Sequence, residues 1–163
     1  MVSFLVGFSI FIIGLFELFP VTNEINQFTQ TLALKKIVDY SVFAFMINLL
    51  REIVKDVEDM EGDMQQGMKT LPIVIGKSKS LKLIFALSFI PLIIITHYLI
   101  SYLYNQQIAV IYFLLLIIAP MILFTIKSYY TETKTELKVL SNFLKFIMLT
   151  GVLSLLLYPL ILT

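Results

Sequence analysis

Cysteine is absent from the 163 residues, which excludes disulfides, zinc-thiolate sites and cysteine nucleophiles. Charge is scarce as well. Asp, Glu, Lys and Arg make up 14% of the chain, against about 25% in an ordinary soluble domain. The net charge is +1, and no basic run is long enough to suggest a nucleic-acid partner. No Lys or Arg precedes Lys35. The first apolar run therefore lacks the basic start of a cleaved signal peptide, no small-residue cleavage site stands out, and the run reads as a retained helix. Internal repeats and low-complexity segments are also missing.

Apolar residues fill the space instead: 59% of the chain is hydrophobic, with a mean hydropathy of +0.94. They come in long runs rather than in the stripes of a water-facing helix. Spanning a bilayer takes about 20 mostly apolar residues. Runs at 2–19, 37–53, 83–103, 108–126 and 143–162 approach that length, the second being the weakest. The expected fold class is all-α, a polytopic transmembrane helix bundle of about five spans forming a single membrane domain over 1–163.

The connecting segments differ in charge. Residues 51–82 hold six Lys/Arg and six Asp/Glu, whereas the link around 105–107 holds none. With alternating sides, Arg51, Lys55, Lys69, Lys77, Lys79, Lys82, Lys127, Lys134, Lys138 and Lys145 fall on one side. Only Lys35 and Lys36 fall on the other. This asymmetry places the 51–82 loop in the cytoplasm of a multi-pass protein of the plasma or inner cell membrane. Tyr98, Tyr102, Tyr104, Tyr129, Tyr130 and Tyr158 gather near span ends, as interfacial aromatics do.

Asn48, Glu52, Asp56, Asp59 and Asp63 are spaced 4, 4, 3 and 4 apart, which puts them on one face of a helix. Leu49, Ile53, Val54, Val57 and Met60 lie mostly off that face. Carboxylates stacked turn upon turn repel one another, and a cation relieves the repulsion. Hard oxygen ligands at this density suit Mg²⁺, which keeps waters and bridges one or two carboxylates to phosphate oxygens. Arg51, Lys55 and Lys69 could neutralise phosphate charge or pair with the acids. Gly62 and Gly67 are expected to loosen the helix end before Thr70-Leu71-Pro72. From spacing alone, a solvated mixed-charge helix end explains the ridge equally well. The Asp-x-Asp-x-Asp-Gly alternation of an EF-hand is absent, as is the Asp-Gly-x-x-Ala-Arg of CDP-alcohol phosphotransferases.

The run Arg51-Glu-Ile-Val-Lys-Asp56-Val-Glu-Asp59-Met-Glu-Gly-Asp63, with Gly67 and Thr70-Leu71-Pro72, resembles the second aspartate-rich motif of UbiA-superfamily prenyltransferases. Its Arg-Glu opening and Glu-Gly-Asp core are most similar to the geranylgeranylglycerol-phosphate geranylgeranyltransferase branch. The resemblance implies a nine-span helical membrane fold, of which this chain is similar to the C-terminal half. It also implies Mg²⁺-dependent transfer of an isoprenyl group from its diphosphate to a lipophilic acceptor. Asp56, Asp59 and Asp63 would be metal ligands, and Arg51, Lys55, Lys69 and Asn48 would contact or support the diphosphate. The family's first acidic motif has no counterpart here, because Asn23, Glu24 and Asn26 do not reproduce it. The expectation is thus a fragment, a half needing a partner with that motif, or an inactive chain. Competing readings are a non-catalytic membrane scaffold or subunit and an aromatic, quinone-precursor acceptor. A small transporter ranks last, since no matched pair of Gly/Pro-interrupted spans is visible. The lone His97, and Glu17 and Asp39 near span ends, read as packing or interfacial groups.

Overall fold

A computed structural model of the chain describes Phe8, Ile12 and residues 24–154. The expected 2–19 span, and the end of the 143–162 span, lie outside those residues apart from these two positions. Among the described residues the chain is helical and forms no strand. The helices are α1 (Glu24–Gln65), α2 (Leu71–Ile75), α3 (Lys77–Leu103), α4 (Gln107–Tyr130) and α5 (Lys134–Leu153). The fold divides into two compact units, Met1–Asn48 and Leu49–Thr163.

Two of these helices, α3 and α4, are long and apolar enough to cross a membrane. Their surfaces suit lipid better than water. Ile93, Ile100, Ile108, Ile111 and Leu115 are all exposed, a density of outward apolar groups that a soluble monomer avoids. The inward stripe of α3, by contrast, is Ser80, Ile84, Ser88, Pro91, Ile95 and Tyr98. In lipid, burying Leu against Leu yields no hydrophobic gain, so small residues that let helices approach matter more. The hydroxyls of Ser80, Ser88, Thr125 and Ser128 donate to carbonyls of their own helices or helix caps, which leaves these buried polar groups satisfied. Helix α3 packs on the second half of α4, and α4 packs on α5. The latter presents Leu137, Leu140, Ser141, Leu144, Ile147 and Thr150 at helical spacing.

Pro120 sets the shape of α4. It has no N–H, so the Leu116 carbonyl four residues back loses its helical donor. The helix widens into a π turn over Leu114–Ile118. Thr150 of α5 then supplies a donor, its Oγ1 lying 3.0 Å from Leu116 O. The same hydroxyl reaches Phe146 O at 3.0 Å and Ile147 O at 3.1 Å, so one proton serves three acceptors in turn. In the reverse direction Tyr112 donates to Thr150 O at 2.8 Å. A second π turn, Leu99–Leu103, ends α3. Beside it His97 contacts Ser101 Oγ at 3.5 Å, one turn along its own helix.

Candidate functional site

The second unit opens with the acidic part of α1, whose residues split between two faces. Leu50, Val54, Val57 and Glu58 are buried, at the i, i+4, i+7 and i+8 spacing of one helical stripe. Glu52, Asp56, Asp59 and Asp63 stand on the opposite face, where Asp59 is exposed and the others are partly so. Burial holds the Asp56 carboxyl above its ordinary pKa, and the like charges of Asp63, Glu52 and Asp59 push it further the same way. Those neighbours are seven, four and three residues away, the separations of one helix face.

The ridge ends at a defined point. Gly67, at φ +70°, adopts the left-handed conformation that closes helices. Met68 N–H donates to Asp63 O at 2.9 Å, and Gly67 N–H donates to Met64 O at 3.1 Å. This paired closure is a Schellman motif, and it anchors the backbone of Asp63. Gly62 behaves differently from expectation. It stays inside α1, one turn short of the position where the backbone must turn left-handed.

The basic residues of the motif take separate roles. Lys55 sits 3.1 Å from Glu58 Oε2 and 3.5 Å from Asp59 Oδ2. The hydrogen bond to Glu58 raises the Lys55 pKa against a desolvation that lowers it. Glu58, whose side chain is 4% exposed, went unnoticed in the motif. Its signal was its place four residues after Val54, on the apolar stripe, where a carboxylate needs a partner. Arg51 is partly buried, and its Nε has no hydrogen-bond partner among the described residues. Lys69 is exposed beyond the Gly67 turn. Asn48 closes the first unit, buried, with its Nδ2 donating to Ala44 O at 3.0 Å.

Among the described residues no three His, Asp or Glu side chains converge as a metal-holding group. A single helix face accounts for this. Residues one turn apart stand about 5–6 Å apart at Cβ, so one ion meets one or two carboxylates and completes its shell from water or an anion. The mutual repulsion at Asp56 is the kind a hard cation relieves, and the donor set of oxygens fits Mg²⁺ in that pairwise manner.

Comparison with known proteins adds the lineage. Residues 1–150 match the model of the UbiA prenyltransferase family. The chain is 36% identical over 115 residues to the digeranylgeranylglyceryl phosphate synthase of Methanosphaera stadtmanae, covering 69% of this chain and 40% of that protein. Proteins of the same name from Thermococcus gammatolerans and Pyrococcus abyssi are each 58% identical over 40 residues, 24% of this chain and 14% of the relative. No solved structure matches. The chain thus spans well under half the length of these relatives. A family model matched along most of its length makes this chain a member of the UbiA prenyltransferase family.

Proposed function

We propose that the chain takes part in Mg²⁺-dependent transfer of an isoprenyl group from an isoprenyl diphosphate to geranylgeranylglyceryl phosphate. The observation that carries this reading is the ridge of Glu52, Asp56, Asp59 and Asp63 on one helix face, where burial first and the like charges second raise the Asp56 pKa. Asp56, Asp59 and Asp63 are the residues that would hold the metal. Bound Mg²⁺ supplies charge neutralisation for the departing diphosphate. Arg51, whose Nε has no hydrogen-bond partner among the described residues, and Lys69 donate to diphosphate oxygens. The apolar helices enclose the isoprenoid tail. The allylic carbon–oxygen bond breaks with its electrons going to the diphosphate. The acceptor hydroxyl oxygen bonds to that carbon, and its proton passes to solvent.

The membrane arrangement we infer has about five spans, at 2–19, 37–53, 83–103, 108–126 and 143–162. They form one membrane domain similar to the C-terminal half of the nine-span fold. The 51–82 loop faces the cytoplasm. The family's first acidic motif comes from another polypeptide segment, joined or separate. The names of the curated relatives support the glycerol-phosphate acceptor.

The test uses the native polypeptide in its source membranes, with radiolabelled geranylgeranyl diphosphate. Binding should require Mg²⁺, vanish with EDTA, and fall at least a hundredfold, about 2.7 kcal/mol, in an Asp59→Asn/Asp63→Asn variant. Undiminished binding in that variant would leave the acids as a solvated helix end and sink the proposal. Transfer to an aromatic acceptor in preference to the phosphate lipid would overturn the acceptor assignment.

A further inference from the structure

The first turns of α3 and the end of α4 enclose a cavity of about 610 Å³ that the acidic ridge does not line. That volume is within the usual range of small-ligand sites. Its lining is graded along the helices. Lys77 and Lys82 stand at the mouth, and Leu81, Phe85 and Tyr129 form a wall. The Phe85 ring packs 5.2 Å from Tyr129 and 5.1 Å from Phe89. Phe89 is itself 41% exposed, so the aromatic surface continues along α3 toward the middle of the span.

The charge at the mouth is positive. Lys77 donates to Glu132 O at 2.7 Å, which uses one of its three donors. Among the described residues Lys82 has no carboxylate within ion-pair distance. Glu132 is the one acidic residue among the lining, against two lysines. Both helices are long enough to span a membrane. The lysines therefore lie at the level of lipid headgroups, with the aromatic wall reaching into hydrocarbon.

From this gradient we infer that the groove between α3 and α4 binds an anionic, phosphate-headed membrane lipid. Its phosphate meets Lys77 and Lys82, and its chain runs along Phe85 and Phe89. A free phosphate would have no use for the aromatic wall, and a zwitterionic lipid would have little use for the unpaired lysine. None of the groove's residues belongs to the acidic motif, so Lys82→Gln tests lipid binding in the groove and Asp59→Asn/Asp63→Asn tests the diphosphate site, and either reading can fail without the other.

The chain has no tryptophan, so Tyr129→Trp places a single emitter in the groove wall. In nanodiscs, lipids with brominated tails quench it on contact. Brominated phosphatidate is expected to quench at a several-fold lower mole fraction than brominated phosphatidylcholine. Lys82→Gln should remove about fivefold of that preference, the effect of one lysine near an anionic headgroup. Lys79→Gln, exposed but outside the lining, should leave it unchanged. Equal quenching by both lipids, or an equal loss in the two lysine variants, would mean diffuse membrane contact and overturn the inference. Displacement of phosphatidate by inorganic phosphate at matched headgroup concentration would overturn the lipid assignment. Native mass spectrometry of the unsubstituted chain gives a second readout, in which retained phosphatidate should drop in Lys82→Gln alone.

Discussion

Asp56 carries a carboxyl whose charged form the fold disfavours, through burial first and through three acids on its own helix face. Its contribution to stability is therefore full below the ordinary carboxylate pKa and lost as pH rises through the raised value. At neutral pH the metal-free protein bears the repulsion. Asp56→Asn should accordingly stabilise the metal-free protein by about 0.5 kcal/mol, from relief of like-charge pairs. On the proposed metal role it should also weaken Mg²⁺ binding at least tenfold, since even residues that only support a metal's ligands cost about 10–100-fold when lost. Thermal unfolding in detergent with and without Mg²⁺ separates the two effects, and a destabilised metal-free variant would contradict the account. Stabilisation by Mg²⁺ should fade on acidification at a higher pH than an ordinary aspartate would set. The stacking of Asp56 and its neighbours was legible in the sequence because like charges at helical spacing have no other simple arrangement. The Lys55–Glu58 pair was not, since its acid sits on the apolar stripe rather than on the ridge.

Elements were legible where hydropathy and helix coincide and less so where they part. The apolar run at 37–53 lies inside α1, which extends over Glu24–Gln65. Polar and charged residues continue a helix as readily as apolar ones, so hydropathy locates lipid rather than helix ends. The π turn before Pro120 is visible in sequence only as a proline inside a long apolar run, and its relief by Thr150 depends on tertiary contact. Thr150→Val should cost about 0.5–1.5 kcal/mol, the range for interhelical hydrogen bonds in membranes. In a Pro120→Ala background the cost should shrink, because an alanine N–H at that position restores the donor for Leu116 O. A double-mutant cycle in denaturant unfolding checks this, and strict additivity would rule it out. At the start of α5, Thr133 and Glu136 form a capping box, with Glu136 N–H donating to Thr133 Oγ1 at 3.3 Å. Backbone donors at Thr133 and Glu132 hold the Glu136 carboxyl below its ordinary pKa. The cap is thus intact at neutral pH and lost as pH falls through the lowered value. Thr133→Ala should cost about 1 kcal/mol and speed amide exchange in the first turn of α5.

At the scale of the molecule, the exposed apolar residues of α3 and α4 and their buried serines agree with a helical membrane protein. The sequence carried that message through composition alone. Sidedness rests on the lysine asymmetry and can be tested directly, because the chain has no cysteine to remove. An impermeant maleimide added outside intact cells should label Asn105→Cys, in the turn between α3 and α4. It should reach Lys79→Cys only after permeabilisation. The reverse pattern would invert the proposed topology and place the acidic loop outside the cell.

Gly76 ends α2 and caps α3 at φ 88°, with its N–H on Pro72 O and its carbonyl receiving Ser80. The corner fixes the rotational phase of everything that follows. One extra residue there would turn α3 by about 100°, swinging Ser80, Ile84 and Ser88 off the α4 seam and bringing bulky lipid-facing groups onto it. Length variation among descendants of this chain should therefore be purged at 75–77.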